Sequence, residues 1–202
     1  MINLNNFPAT SPVAAILLAS GFSERFGEKN KLLTLFRGKP LARYTLELAA
    51  QMNVFSGIYF VTASYDVAAL ASDLGTVTVI NNKAPEKGLR ESVRLGVEAA
   101  GRVVEFYLFF PCDQPFLDAA TVKNILDARE PGCITEPRYG GNPGNPCLFS
   151  TAFREELLSL AEGETPKLIK ARHTKALRGV EISNPLALQD IDDEKTLESL
   201  SY

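Results

Sequence analysis

Val13-Ala14-Ala15-Ile16-Leu17-Leu18-Ala19, followed at once by Ser20-Gly21, decides how the rest of the chain is read. Seven consecutive apolar residues stopped by a small polar residue and a glycine are the pattern of a strand buried on both faces of a parallel sheet. Working outward, Pro40 opens a helical pattern through Leu41, Tyr44, Thr45, Leu48, Ala49 and Met52, with proline where its missing N–H does no harm. Gly57–Thr62 reads as a second strand, residues 65–74 as a helix, residues 77–80 as a third strand and residues 88–100 as another helix. Phe106–Phe110 is a dense apolar strand, and Asp118 caps a helix running to about Arg129. Four strand-then-helix units predict an α/β fold with a doubly wound, mostly parallel sheet, since parallel neighbours need crossover helices on both faces.

From Cys133 to Ser150 the grammar changes to short strands broken by Tyr139-Gly140-Gly141-Asn142-Pro143-Gly144-Asn145-Pro146. That segment reads as a small β-rich insertion with tight turns, fit to wall one side of a pocket. Residues 151–161 and 166–172 look helical, residues 177–182 form a candidate strand and residues 193–200 a terminal helix. No repeat or long Gly/Ser linker divides the chain, so one domain over residues 1–202 is expected, with residues 1–12 as a loose tail.

Composition narrows the chemistry. Of 202 residues 46% are apolar; 21 Lys and Arg against 24 Asp and Glu leave a net charge of −3, with no bulk positive field for a nucleic-acid partner. A single histidine, His173, and three cysteines without a CxxC pair exclude His-rich zinc sites and Cys₄ clusters. Odd, widely spaced cysteines suit a reducing compartment. The run at Val13–Ala19 is too short to span a membrane, and no cationic segment precedes it. A cytoplasmic protein with no membrane association is the expectation.

In open α/β sheets ligands bind beyond the carboxyl ends of the strands. Two unusual segments fall there: Ser20 to Lys31 after the first strand, and Pro111-Cys112-Asp113-Gln114-Pro115 after the fourth. The first combines two glycines with Arg25, Lys29 and Lys31, in outline a cradle for polyphosphate. It is neither GxxxxGK[ST] nor GxGxxG. Asp113, ending a buried strand, has the position and charge to hold a divalent cation, and Mg²⁺ takes one or two carboxylates together with phosphate oxygens and water.

Leu18-Ala19-Ser20-Gly21-Phe22-Ser23-Glu24-Arg25-Phe26-Gly27, then Asn30-Lys31-Leu32-Leu33 and Gly38-Lys39-Pro40-Leu41, resembles the signature LxAGxSxRxG…K…GKPL of the MobA-like nucleotidyltransferases. The likeness continues through Gly88 to Val93, Cys112 to Pro115, Gly144 to Phe149 and Asp190-Ile191-Asp192. Within the family it is nearest in pattern to molybdenum cofactor cytidylyltransferases, which implies transfer of CMP from CTP to the phosphate of molybdopterin, with release of pyrophosphate. The resemblance implies catalytic roles for Arg25, Lys31 and Asp113, and Mg²⁺ or Mn²⁺ on Asp113 and Asp192. It also implies nucleotide contacts from Leu18, Ala19, Ser20, Gly21, Gly88 and Ser92, acceptor contacts from Asn142 and Asn145, and a molybdoenzyme client downstream.

The alternatives are guanylyl transfer to molybdopterin, nucleotidyl transfer to a sugar phosphate, and a non-catalytic nucleotide-binding module for cofactor maturation. Ser20 departs from the small residue usual at its place and adds a hydroxyl near the base. Cys112 replaces a glycine and reads as a small buried residue. The basic run Lys167, Lys170, Arg172, Lys175 and Arg178 reads as a solvated helical face, or alternatively as a surface that meets a partner enzyme or the anionic pterin phosphate, and His173 as a surface residue.

Overall fold

The computed structural model describes residues 12–21 and 30–200. Its strands are β1 (Val13–Ala19), β2 (Leu35–Phe36), β3 (Lys39–Pro40), β4 (Gly57–Thr62), β5 (Val77–Asn81), β6 (Phe106–Pro111), β7 (Ile134–Tyr139), β8 (Asn142–Pro143), β9 (Cys147–Ser150) and β10 (Leu177–Glu181). The helices are α1 (Leu41–Met52), α2 (Tyr65–Ala69), α3 (Leu89–Ala100), α4 (Ala119–Asp127), α5 (Arg154–Leu158), α6 (Pro166–Arg172) and α7 (Glu194–Leu200). The main sheet runs β10-β7-β9-β6-β1-β4-β5, with β8 appended to β7 and a small separate hairpin of β2 and β3.

Residue alternation along the three central strands explains the layering. Ala15 and Leu17, Ile58 and Phe60, and Phe106, Leu108 and Phe110 face one way and pack on α1, α2 and α4. Ala14 and Ile16, Val61, and Tyr107 and Phe109 face the other way and pack on α3, α5 and α6. Both faces are covered, as uninterrupted apolar runs require. Gly96 is where α3 approaches β1 most closely: a Cβ there would lie 2.3 Å from Cγ2 of the fully buried Ile16. Gly96→Ala is therefore expected to cost about 1–3 kcal/mol through overpacking, a Tm loss of roughly 2–10 °C for a chain of this size. An unchanged melting curve would mean that the two elements separate without cost.

One expectation is revised. The helix predicted over residues 65–74 ends at Ala69, and the chain continues in i→i+3 turns through Leu74. Arg43 on α1 explains this, since its guanidinium donates to the Leu70 carbonyl at 2.6 Å and to the Asp73 carboxylate, pinning the segment outside a helical ladder. The β-rich residues 133–150 are built into the main sheet. β9 pairs antiparallel with β6, Phe109 opposite Cys147, and β7 joins β9 antiparallel and β10 parallel, so the segment carries the central sheet outward. Its one projecting piece is the hairpin of β7 and β8, turned by Gly140 and Gly141 at φ 55° and 81°.

Candidate active site

The site forms where β1 and β6 end side by side. Asp113 follows the last residue of β6 by two positions, and its backbone carbonyl accepts a hydrogen bond of 2.9 Å from the N–H of Ile191. Ile191 is fully buried in a small apolar cluster with Phe36 and Leu41. That anchor draws Asp190 and Asp192 to the end of β6.

Lys31 comes from the opposite side. It begins a short 3₁₀ turn, Lys31–Leu33, capped by Asn30 through the Leu32 N–H and fixed by the buried Leu32 side chain. Its ammonium donates to Oδ2 of Asp113 at 2.7 Å, to Oδ1 of Asp192 at 3.0 Å and to the Ile191 carbonyl at 3.2 Å. Burial works against the lysine charge, but the two carboxylates outweigh it and raise the Lys31 pKa above the ordinary value. Asp190, two residues from Asp192, turns instead to Gln114, whose amide donates to it at 2.8 Å. Burial, and then the neighbouring charge of Asp113, push the Asp190 carboxyl up to about 6. Cys112 is buried and its thiol is pushed well up by desolvation, so it is the inert small residue expected.

A cleft of about 580 Å³ opens over this triad, walled by Leu18, Gly21, Leu89, Phe109, Asn145, Cys147, Phe149, Thr165, Lys167 and Lys170 together with Lys31, Asp113 and Asp192. A smaller cavity of about 280 Å³, lined by Ala19, Ser20, Gly21, Asn30, Ala63, Ser64 and Pro85, adjoins it at Gly21. The structure thus gathers most of the residues singled out from the sequence: Leu18, Gly21, Lys31, Asp113, Asn145 and Asp192 in the larger space, and Ala19 and Ser20 in the smaller. The Ser20 hydroxyl donates to the Val61 carbonyl at 3.2 Å. Gly88, at φ 75°, is exposed at the start of α3 beside Leu89, a wall of the large cleft. Arg25 and Lys29 lie outside the described residues.

Two expected residues stand elsewhere. Ser92 is 2% exposed and accepts a hydrogen bond from the buried Asn82 amide at 3.2 Å. It ties α3 to the end of β5 and lines neither cavity. Asn142 is exposed on β8, away from the walls of both. Conversely, Lys167 and Lys170, read as a solvated face, line the large cleft. The spacing of three that puts them on one side of α6 was visible; what that side faces was not. His173 is half-exposed, edge-on to Phe153 and 2.8 Å from Glu156.

The donor set suits a hard divalent cation. Oδ1 of Asp113 is buried without a hydrogen-bond partner, an oxygen lacking the contact that desolvation demands. One ammonium already bridges Asp113 and Asp192, which shows that a single cation reaches both carboxylates. No group of three or more His, Cys, Asp or Glu is placed to hold one metal ion among the described residues. Two carboxylates completed by phosphate oxygens and water are what Mg²⁺ or Mn²⁺ accepts.

A family model described as the MobA-like NTP transferase domain matches residues 15–177. The chain belongs to the MobA-like NTP transferase family. This MobA-like chain is 26% identical over 172 residues to a molybdenum cofactor guanylyltransferase of Ralstonia pickettii, covering 79% of the chain and 81% of the relative. It is 29% identical over 161 residues to another protein of that name in Ralstonia nicotianae, covering 73% and 76%. Among solved structures, a nucleotidyl transferase from Methanothermobacter thermautotroptrophicus superposes with TM-score 0.81 at 21% identity, over 94% of this chain and 96% of that one. A manganese complex of Rv0371c from Mycobacterium tuberculosis gives 0.73 at 22% identity, over 95% and 98%. At these identities the structures establish the fold alone. The matched residues include Lys31 and Asp113 and end before Asp192. No helix among the described residues is long and apolar enough to cross a membrane.

Proposed function

We propose that the chain, acting as one domain over residues 1–202, transfers a nucleotidyl group from a nucleoside triphosphate to the phosphate of a molybdopterin-type acceptor and releases pyrophosphate. GTP is the favoured donor. The observation that carries the reading is the bridge from Lys31 to Asp113 and Asp192 at the carboxyl ends of β1 and β6, within a MobA-like fold. The guanylyltransferase names of the Ralstonia relatives move the base from the cytosine expected on the sequence pattern to guanine. CTP, the donor implied by the sequence pattern, is the second reading; Ser20 borders the smaller cavity, and its hydroxyl oxygen would accept from the exocyclic amine of cytosine or of guanine alike.

In this mechanism Asp113 and Asp192 would hold Mg²⁺ or Mn²⁺, in keeping with the manganese named for the Rv0371c complex. The metal, when bound, neutralises charge on the triphosphate. The nucleotide base takes the smaller cavity, and the phosphates pass Gly21, where the two spaces join. Lys31 exchanges carboxylate contacts for phosphate oxygens, Arg25 adds a second cation, and Asn145 borders the acceptor. No protein base is needed, because a phosphomonoester with a second pKa of about 6 is already largely dianionic near neutral pH. The chain's work is alignment for in-line attack and stabilisation of charge. A cytoplasmic enzyme handing its product to a molybdoenzyme client completes the reading.

Pyrophosphate release from GTP and from CTP, each with Mg²⁺ and with or without molybdopterin, tests it. Acceptor-dependent release is expected, with GTP the better donor by at least tenfold, the usual reach of one well-placed base contact. A preference for CTP restores the cytidylyl reading. Release from neither nucleotide in the presence of competent acceptor overturns enzymatic transfer.

A further inference from the structure

The wall of the large cleft contributed by α6 contains a charge arrangement that the nucleotide does not account for. Glu136, on β7, has a side chain only 3% exposed. Oε1 accepts from Arg138 at 2.9 Å and Oε2 accepts from the Lys170 ammonium at 2.7 Å. A buried ion pair is a poor source of stability, since desolvating both charges offsets most of their attraction. What this pair does provide is an ammonium fixed in the wall of the cleft, with its side chain 17% exposed. A lysine has three N–H donors. Glu136 takes one and the Cys147 sulfur, at 3.5 Å, a second, leaving one for a ligand. Lys167, one helical turn away on the same face, also lines the cleft.

Nucleotidyl transfer to a phosphate brings two anions together, and each needs positive charge. Lys31 and the cation on Asp113 and Asp192 serve the triphosphate. Among the described residues lining the cleft, the remaining cations are Lys167 and Lys170, and its acids, Asp113 and Asp192, belong to the other group. We propose that Lys170, held in place by Glu136, forms with Lys167 a phosphomonoester site that docks the attacking phosphate of the acceptor. Glu136 is a positioning residue: it touches no substrate and fixes the direction of the Lys170 donors. The inference rests on the transfer reading and names the side of the same cleft that the second substrate enters.

The test measures binding directly, with phenyl phosphate as probe, by calorimetric titration in Mn²⁺ with the α,β-methylene analogue of GTP present and, in parallel, without nucleotide. Lys170→Met alone leaves the buried Glu136 carboxylate with Arg138 as its remaining cation, so the informative variant is the double replacement Lys170→Met with Glu136→Gln, which removes both charges of the pair together. Its melting temperature checks folding. Phenyl phosphate affinity is expected to fall at least about tenfold in the folded double variant, the worth of a charge-assisted hydrogen bond, and several-fold in Lys167→Met. Affinity for the GTP analogue with Mn²⁺ stays within about twofold of wild type, as it should where only the acceptor's charge partners are lost. In the transfer assay, KM for acceptor rises and KM for nucleotide does not. Unchanged phenyl phosphate affinity in both variants, or no binding of the probe to the wild-type chain, overturns the site while leaving pyrophosphate release intact. Loss of pyrophosphate release with every nucleotide overturns the transfer reading, and the nucleotide-free titration still decides the phosphomonoester site.

Discussion

Asp113→Asn is expected to lower kcat by on the order of a thousandfold while the chain melts within a few degrees of wild type, the scale seen when a charge-stabilising group leaves an otherwise intact site. The replacement keeps the shape of the side chain, the 2.9 Å hydrogen bond from Ile191 uses the backbone carbonyl, and β6 is untouched. What disappears is the negative charge and one of two oxygens able to bind a hard cation. The measurement is steady-state pyrophosphate release beside a thermal melt and a Mn²⁺ titration. Turnover near the wild-type rate would remove Asp113 from the metal site and with it the proposed chemistry.

Lys31→Met should lower both turnover and the metal-free melting temperature while increasing the stabilisation that added metal confers. Transition-state charge on the phosphates loses a cation, so kcat/KM is expected to fall by roughly a hundredfold to a thousandfold. In a chelator, the variant should also melt earlier. Its removal leaves Asp113 and Asp192 facing each other, with Asp190 close by, a loss of about 1–3 kcal/mol once the partial exposure of Asp192 is discounted. Added Mn²⁺ then takes over the role of the ammonium, and the rise in Tm on adding metal should exceed that of the wild-type chain, whose lysine competes for the same oxygens. A variant that melts like wild type and gains nothing extra from Mn²⁺ would show that the ion pairs seen around Lys31 contribute little to either state.

How much was legible in the sequence follows from how local each signal is. β1, β4 and β6 announce themselves because burial on both faces demands unbroken apolar runs, and Asp118 marks the start of α4 because its side chain accepts from the Thr121 N–H three residues on. Lys31, Asp113 and Asp192 were found as an ordered pattern, but their meeting depends on the Ile191 anchor, which no spacing reveals. The placement of β9 was invisible for a related reason: four buried residues pair equally well in many registers until β6 supplies an open edge. The burial of Ser92 was not legible either, because it depends on Asn82, ten residues upstream, whose amide donates to its hydroxyl oxygen. Between the two readings of the basic run the sequence could not choose for Lys170, because Glu136, 34 residues away in sequence, makes it a fixed part of a cavity wall.

The hydrogen bond from Ile191 to Asp113 joins two points that the ribosome makes far apart in time. The sheet from β1 to β6 is complete in the growing chain well before residue 191 emerges, and domains generally fold as units during synthesis. Until those last residues dock, Asp113 has neither Asp192 beside it nor the Ile191 N–H on its carbonyl, and Lys31 has one carboxylate instead of two. A nascent or C-terminally clipped chain thus has a sheet but only half the carboxylate set for a cation. In the proposed transfer, the second carboxylate of the cation site would therefore arrive later than the first, with the docking of one buried isoleucine.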